Sequence, residues 1–227
     1  MMKQIAVIFV LTVMFGRTSG AAESESVSDL RAKAESGDAK AGLLLALRYD
    51  NGEGVPLDRA EAAKWYLLAA EAGLADAQNS IGSLYEAGEG VAQDSGKAAA
   101  WYRKSSDQGN VEATHNLGYL YDLGKGIPEE NERAVALYTQ AAEKGFVKSM
   151  LNLGLMYAQG DGIPKDELIA YMWLDLARFY TQRSGDMQLK WTVRGQLDEL
   201  RKQMSRAQIS RAEKMSKAWD KAHRPGA

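Results

Sequence analysis

Residues 38–179 repeat with a period of 36, and this repetition constrains the fold more than any other feature of the chain. One tyrosine, one alanine and three glycines each recur four times at that spacing. The recurring positions are Tyr49, Tyr85, Tyr121 and Tyr157; Gly52, Gly88, Gly124 and Gly160; Gly54, Gly90, Gly126 and Gly162; Ala62, Ala98, Ala134 and Ala170; and Gly37, Gly73, Gly109 and Gly145. Self-similarity with a fixed period of this size is typical of stacked repeat units that share one continuous core.

Each unit is predicted to consist of two helices. In the third unit, apolar residues recur at the spacing of one helix face before and after the stretch 124–128, where glycine and proline break the helix. The two apolar stripes are Ala113, Leu117, Leu120 and Tyr121, then Ala134, Leu137, Tyr138, Ala141 and Ala142. Gly145 then ends the second helix as a residue suited to the left-handed conformation.

Two further columns indicate how the helices of a unit pack. A small residue at Ala46, Gly82, Gly118 and Gly154 lets the two helices approach closely. Large aromatic side chains fill the space beyond. They are Trp65, Trp101 and Trp173, with Leu137 in the third place.

These columns resemble the Sel-one-like repeat, a relative of the tetratricopeptide repeat. The motif is carried by Leu117-Gly118-x-x-Tyr121-x-x-Gly124-x-Gly126-Ile127-Pro128, followed by Ala134, Tyr138, Ala141-Ala142 and Gly145. The resemblance implies an all-α, right-handed α/α superhelical solenoid of four repeats over 38–73, 74–109, 110–145 and 146–179. Departures from the pattern are Ala46 for glycine, Ala92 for proline, and Ser105-Ser106 for an alanine pair.

The solenoid is expected to have helical caps at both ends, because a repeat array exposes apolar faces there. Residues 23–37 resemble the second helix of a missing unit, since Gly37 lies one period before Gly73. At the other end, residues 180–227 predict two further helices. The first carries Trp191, Leu197, Leu200 and Met204; the second starts at a capping box, Ser205-x-x-Gln208, and turns Ile209, Ala212, Met215 and Trp219 inward.

Residues 1–22 are predicted to be a signal peptide. Lys3 precedes an eleven-residue run over 5–15 that is apolar except for Thr12, and small residues follow at 19–22. A helix of that length rises about 16 Å, too little to cross a hydrocarbon core of about 30 Å. We therefore expect export to the periplasm or beyond, with a retained membrane anchor as the alternative.

The charge is divided along the chain. Residues 23–177 hold 25 acidic and 14 basic side chains, and residues 178–227 hold 5 acidic and 12 basic ones. A basic C-terminal helix of this kind could contact anionic membranes, but the simpler interpretation is a solvated outer face on a cap. We expect no nucleic-acid partner, since no stacking platform accompanies the basic residues.

The sequence offers no catalytic, metal or cofactor motif. It contains no cysteine and two widely separated histidines, His115 and His223. The Gly-x-Gly pairs lack the third glycine and the preceding strand of a dinucleotide-binding loop. We therefore predict no cofactor, no metal and no enzymatic activity.

The resemblance implies a binding groove lined by the first helix of each repeat. The predicted lining residues are Leu43, Leu47, Asn79, Ser83, His115, Tyr119, Leu151 and Leu155, with a rim of Asp50, Asp76, Glu86, Glu112 and Asp122. His115 and Tyr119 are expected to be exposed, and His115 is a candidate pH sensor. The alternative for each groove residue is packing against the next repeat, and for the four leucines the two interpretations are equally supported.

These features favour a monomeric adaptor of the cell envelope that binds a partner protein or peptide in its groove. Leucine-type anchors and a basic residue on the partner would complement this surface. Two alternatives remain open from the sequence: an immunity protein that neutralises an antibacterial toxin, and an envelope hydrolase with an unrecognised site.

Overall fold

The computed structural model describes residues 25–182 and 185–223, and the chain in these ranges is helical with no strand. The helices are α1 (Val27–Glu35), α2 (Ala39–Asn51), α3 (Arg59–Glu71), α4 (Ala75–Ala87), α5 (Ser95–Asp107), α6 (Val111–Asp122), α7 (Asn131–Glu143), α8 (Val147–Gln159), α9 (Glu167–Thr181), α10 (Met187–Gln203) and α11 (Arg206–His223). Each helix from α1 to α9 packs against the next one in the chain. This confirms the all-α solenoid of four helix pairs. The predicted signal peptide lies outside the described residues.

Aspartate side chains begin most of the second helices of the pairs. Asp58 accepts hydrogen bonds from the backbone amides of Ala60 and Glu61, each at 3.0 Å. Asp94 and Asp166 bond in the same way to the first turns of α5 and α9. The side-chain oxygen satisfies amides that have no partner within the helix, so the start of each second helix is fixed locally by the sequence.

The two helices of a repeat touch at the small-residue column, as predicted. A Cβ atom added to Gly82 would lie 2.8 Å from the ring of Tyr102, and one added to Gly154 would lie 2.6 Å from Leu174. Real Cβ contacts are longer than this, so a larger residue at either of these two glycines would force the facing side chain or its helix to shift. The close approach buries Tyr102 and Leu174 almost completely.

The two glycines of the Gly-x-Gly loop perform different tasks. The first ends the first helix in the left-handed conformation, as Gly88 does with φ of 73°. The second lies against the start of the preceding repeat's second helix. A Cβ atom on Gly90 would be 2.1 Å from the carbonyl oxygen of Arg59, and one on Gly126 would be 2.3 Å from Cβ of Ser95. The loop therefore fixes the spacing between neighbouring repeats.

The final two helices cover α9, whose side chains are buried on several sides. Trp173 of α9 meets Trp219 of α11 edge to face, with ring centroids 5.2 Å apart. The predicted capping box is confirmed: the backbone amides of Ser205 and Gln208 each bond to the other residue's side chain. On α10, Leu197 and Leu200 are buried, whereas Trp191 is 62% exposed.

No helix within 25–182 and 185–223 is both long and apolar enough to cross a membrane.

The second loop glycine gives a matched test of inter-repeat packing. Gly126 and Gly54 both have φ of 74°, but a Cβ atom on Gly54 meets nothing closer than a side-chain methyl of Val27 at 3.6 Å. We expect Gly54→Ala to lower the free energy of unfolding by about 1 kcal/mol, the cost of a side chain in the left-handed region. Gly126→Ala should lower the free energy of unfolding by about 1–3 kcal/mol more than Gly54→Ala does, because the backbone at the start of α5 must move.

Urea unfolding of the two variants beside the wild type measures this difference. Equal losses in the two variants would show that positive φ alone, and no contact between repeats, requires the second glycine.

Candidate functional site

One surface of the first helices is formed by two columns of residues that are exposed or half-buried. We call it the first-helix face, and it comprises Leu44, Ser80, Asn116 and Asn152 together with Leu47, Ser83, Tyr119 and Leu155. On α2 both of its leucines are open to solvent, with Leu44 49% and Leu47 38% exposed. Tyr119 and Leu155 are half-buried and Ser83 is exposed. The face is therefore apolar at its α2 end and mixed along the remaining helices.

Half of the predicted groove residues belong to this face and half do not. Leu47, Ser83, Tyr119 and Leu155 lie on it. The other predicted column turns toward neighbouring helices: Leu151 is 8% exposed, Leu43 packs against the core, and Asn79 accepts a hydrogen bond from Asn116 at 3.1 Å. A helix turns 100° per residue, so the predicted column is displaced by one position from the exposed one.

The expectation that His115 is exposed and senses neutral pH is wrong. Its side chain is 8% exposed and lies against the rings of Tyr138 and Phe146, with centroid distances of 5.4 and 5.0 Å. Nδ1 lies 2.9 Å from Oγ of Ser149 in the next repeat. Burial, together with the nearby positive charge of Lys148, lowers the pKa of His115 to about 3. His115 is thus a neutral packing residue that joins α6 to α8.

The predicted acidic rim is largely occupied by contacts within the protein. Asp122 accepts a hydrogen bond from the Tyr138 hydroxyl at 3.1 Å, and burial raises the pKa of this carboxyl. Glu86 accepts one from Tyr102 at 3.0 Å and also pairs with Lys125 at 3.1 Å. These carboxylates therefore serve the repeat structure, because each satisfies a tyrosine hydroxyl buried by the close approach of the helices.

Asp50 completes the same pattern in the first repeat. It accepts from the Tyr66 hydroxyl at 3.3 Å and pairs with Arg59 at 3.0 Å. In the fourth repeat Ala158 and Leu174 replace both the acid and the tyrosine. Sequence inspection alone could have found this relation, because the two columns, 16 residues apart, change together.

The remaining rim residues stay at the surface. Asp76 and Glu112 lie in the first turns of α4 and α6, and both are exposed. Asp76 accepts a hydrogen bond from the Asn110 side chain at 3.0 Å. Negative charge beside the first-helix face is therefore concentrated at the N-terminal ends of these two helices, where the helix dipole favours it.

Among the described residues, no group of three or more histidine, aspartate or glutamate side chains is arranged to hold a metal ion. The tyrosine–carboxylate pairs are also unsuited to proton transfer at neutral pH. Desolvation and the adjacent Asp122 and Glu86 carboxylates raise the pKa values of Tyr138 and Tyr102. Their hydroxyls consequently remain protonated donors.

Comparison with known protein families finds one that matches most of the repeat region. The Sel1 repeat model matches residues 39–74, 75–110, 111–146 and 147–178. No curated protein matches the chain significantly.

Solved structures show the same fold. A Sel1 repeat protein from Oxalobacter formigenes is 30% identical with a TM-score of 0.64, over 77% of this chain and 75% of that one. The protective antigen c5321 of uropathogenic Escherichia coli, described as displaying an SLR fold, is 28% identical with a TM-score of 0.59. That match covers 78% of this chain and 49% of c5321, so the chain spans about half the length of that protein.

The buried imidazole makes stability depend on pH. The unfolded chain binds a proton at His115 below about pH 6.5, whereas the folded chain resists protonation down to about pH 3. Stability is therefore lost as the pH falls through this window, by up to about 1.4 kcal/mol per pH unit, and His115 adds no pH dependence above it. Between pH 6.5 and 5 the wild type should lose about 2 kcal/mol more than His115→Gln.

Urea unfolding at both pH values measures this difference, with His223→Gln as the control because His223 is exposed on α11. Parallel pH profiles for the wild type and His115→Gln would mean that the folded protein protonates His115 freely.

Proposed function

The chain belongs to the Sel1 repeat family, whose repeats are generally protein–protein interaction modules, and from that premise we propose that it is a non-catalytic scaffold that binds a partner protein through its first-helix face. One observation supports this choice of surface above the others. Leu44 and Leu47 are exposed side by side on α2, at the end of a face that continues to Tyr119 and Leu155. Exposed apolar side chains grouped in this way are typical of interaction sites.

The chemistry of this face defines the partner. The α2 leucines and the half-buried Tyr119 would receive apolar side chains of an extended or helical segment. Because Asp50, Glu86 and Asp122 already bind tyrosine hydroxyls, the acids free to meet a basic partner residue are those at the helix starts. We therefore expect the partner's positive charge to lie near Glu112, beside the middle of the face.

A scaffold is favoured over an enzyme by the composition of the face. Its side chains are leucine, serine, asparagine and tyrosine, with no nucleophile paired to a base. The Sel1 repeat fold is typically a non-catalytic interaction scaffold.

The N-terminal sequence supports action in the cell envelope. The pattern of Lys3, an apolar run over 5–15 and small residues at 19–22 is typical of a cleaved secretory signal. The proposed partner is therefore an envelope or exported protein.

Substitution of the α2 leucines tests the proposed surface. We expect Leu44→Ser combined with Leu47→Ser to weaken partner capture at least about tenfold, because each leucine buried at an interface contributes about 1–2 kcal/mol. The two positions are exposed, so the melting temperature should be nearly unchanged. Binding is measured with the mature protein as bait in envelope extract, and then with the purified partner.

Leu68→Ser is the matched control. Leu68 is 37% exposed, close to the 38% of Leu47, but it lies on α3, a second helix. Loss of binding in this control alone, or equal binding by the double variant and the wild type, would move the interaction away from the first-helix face.

The proposed location has a direct test. Protein isolated from the native cells should begin near Ala21 or Ala22 and partition with the periplasmic or secreted fraction. An intact N-terminus found in the membrane fraction would instead indicate a retained anchor.

A further inference from the structure

An open cavity of about 620 Å³ lies between the second helices of repeats two and three. Arg103 and Ser106 of α5 form one wall and Arg133 and Gln140 of α7 form the other, with Tyr121 of α6 between them. Its size is within the range of about 300–1,000 Å³ that is usual for ligand pockets. The cavity belongs to the second-helix side of the solenoid and shares no residue with the first-helix face.

The cavity lies where one repeat lacks the tryptophan that the others have. Trp65, Trp101 and Trp173 occupy the same position of their repeats, and Leu137, which lines the cavity, takes that position in the third. Trp65 and Trp173 are buried and Trp101 is partly buried. A smaller side chain at this position leaves open the volume that an indole ring fills elsewhere.

The first repeat shows what a filled version of this site looks like. Arg31 donates a hydrogen bond to the Tyr49 hydroxyl, and its guanidinium carbon lies 5.7 Å from the centroid of the Trp65 ring. These three residues precede Arg103, Tyr121 and Leu137 by 72 positions, two full periods. The arrangement is thus an arginine, a tyrosine and an indole packed together, with the cation near the aromatic face.

In the third repeat the arginine and the tyrosine remain but the indole is absent. Arg103 donates to the Tyr121 hydroxyl at 2.5 Å, as Arg31 does to Tyr49. Leu137 supplies no aromatic surface for the guanidinium group. The chain itself therefore shows which chemical group this position accommodates, an aromatic ring beneath an arginine.

A second cation distinguishes this cavity from the filled site. Arg133 also donates to the Tyr121 hydroxyl, at 3.3 Å, whereas the first repeat has Glu61 in its place. Two guanidinium groups consequently converge on one hydroxyl oxygen. Glu130 pairs with Arg133 at 2.8 Å, while Arg103 forms no ion pair within the described ranges. Among the residues lining the cavity, Asp107 is the acid that opposes this positive charge.

We propose that this cavity binds the C-terminal aromatic residue of a partner polypeptide. The aromatic ring would occupy the space beside Leu137 that the tryptophans fill in the other repeats. The terminal carboxylate would accept hydrogen bonds from Arg103 and Arg133, since guanidinium groups bind carboxylates with paired, charge-assisted hydrogen bonds. A C-terminal residue fits because it carries both its carboxylate and its aromatic ring on one Cα atom. In the cavity the two arginines and the open space lie correspondingly close together, beside Tyr121.

The test uses the peptide acetyl-Ala-Ala-Trp with a free terminal carboxylate, compared with the same peptide as a C-terminal amide. Calorimetric titration of the mature protein should show binding of the acid, and binding at least about tenfold weaker for the amide, the loss expected when a charge-assisted pair is removed. Absence of binding by the acid at millimolar concentration, or equal affinity for both peptides, would overturn the proposal.

Substitutions of the wall separate this site from general charge attraction. Leu137→Trp restores the column residue and should abolish binding while the melting temperature is maintained. Arg103→Gln should weaken binding about tenfold. The control Lys97→Gln, which removes a cation near the Tyr85 ring outside the cavity, should leave binding unchanged. Asp107→Asn should strengthen binding several-fold, because it removes a negative charge that repels the peptide carboxylate.

Two results in this series would contradict the assignment. Unchanged binding by Leu137→Trp would place the peptide elsewhere, and equal losses in Arg103→Gln and Lys97→Gln would reduce the effect to net charge. The last measurement uses N-acetyltryptophan as the ligand. If the protein binds it as tightly as the peptide, the ligand is a small aromatic acid and the proposed polypeptide partner is wrong. All variants retain Leu44 and Leu47, so the outcome is independent of the first-helix face.

Discussion

The close contact between the two helices of each repeat is the constraint on which the rest of the structure depends. A small residue on the first helix, alanine in the first repeat and glycine in the others, lies against a tyrosine or leucine on the second. At Gly82 and Gly154 there is no room for another Cβ atom. This contact buries the aromatic ring but also brings its hydroxyl among the first helices. The hydroxyl then needs an acceptor, because an unpaired buried polar group costs about 1–3 kcal/mol. The carboxylates of Asp50, Glu86 and Asp122 supply it.

The same constraint decides which surfaces remain available to a partner. Once the acids at the helix ends are engaged by tyrosine, the first-helix face presents mainly leucine, serine and asparagine. Repeats pack on each other through a second set of contacts, such as that between His115 and Ser149, and these remove a further column from the surface. On α2 this face exposes two leucines, which suits a surface that recognises another protein.

Residues that depart from the repeat pattern change how neighbouring helices pack. Ser105 and Ser106 replace an alanine pair, yet both are buried and hydrogen-bonded, to the carbonyl oxygen of Ala75 and to Thr114. These bonds add polar links between helices α4, α5 and α6, at the point where the two clusters of the apolar core meet. Leu137 departs in the opposite direction. Leucine is smaller than the tryptophan found in the other repeats, and Leu137 lines an open cavity where no other side chain fills the space.

The sequence by itself determined the helix pairs, their loops and the stacking order, because a period of 36 residues repeats the same local signals four times. It also determined the capping box at Ser205, which needs only neighbouring residues. Only the tertiary structure decided which helix columns face solvent, since the rotation of α6 is fixed by its packing on α5 and α7. For that reason His115 is buried although it was predicted to be exposed in a groove. Burial depends on what lies across the interface, and the spacing of one helix does not contain that information.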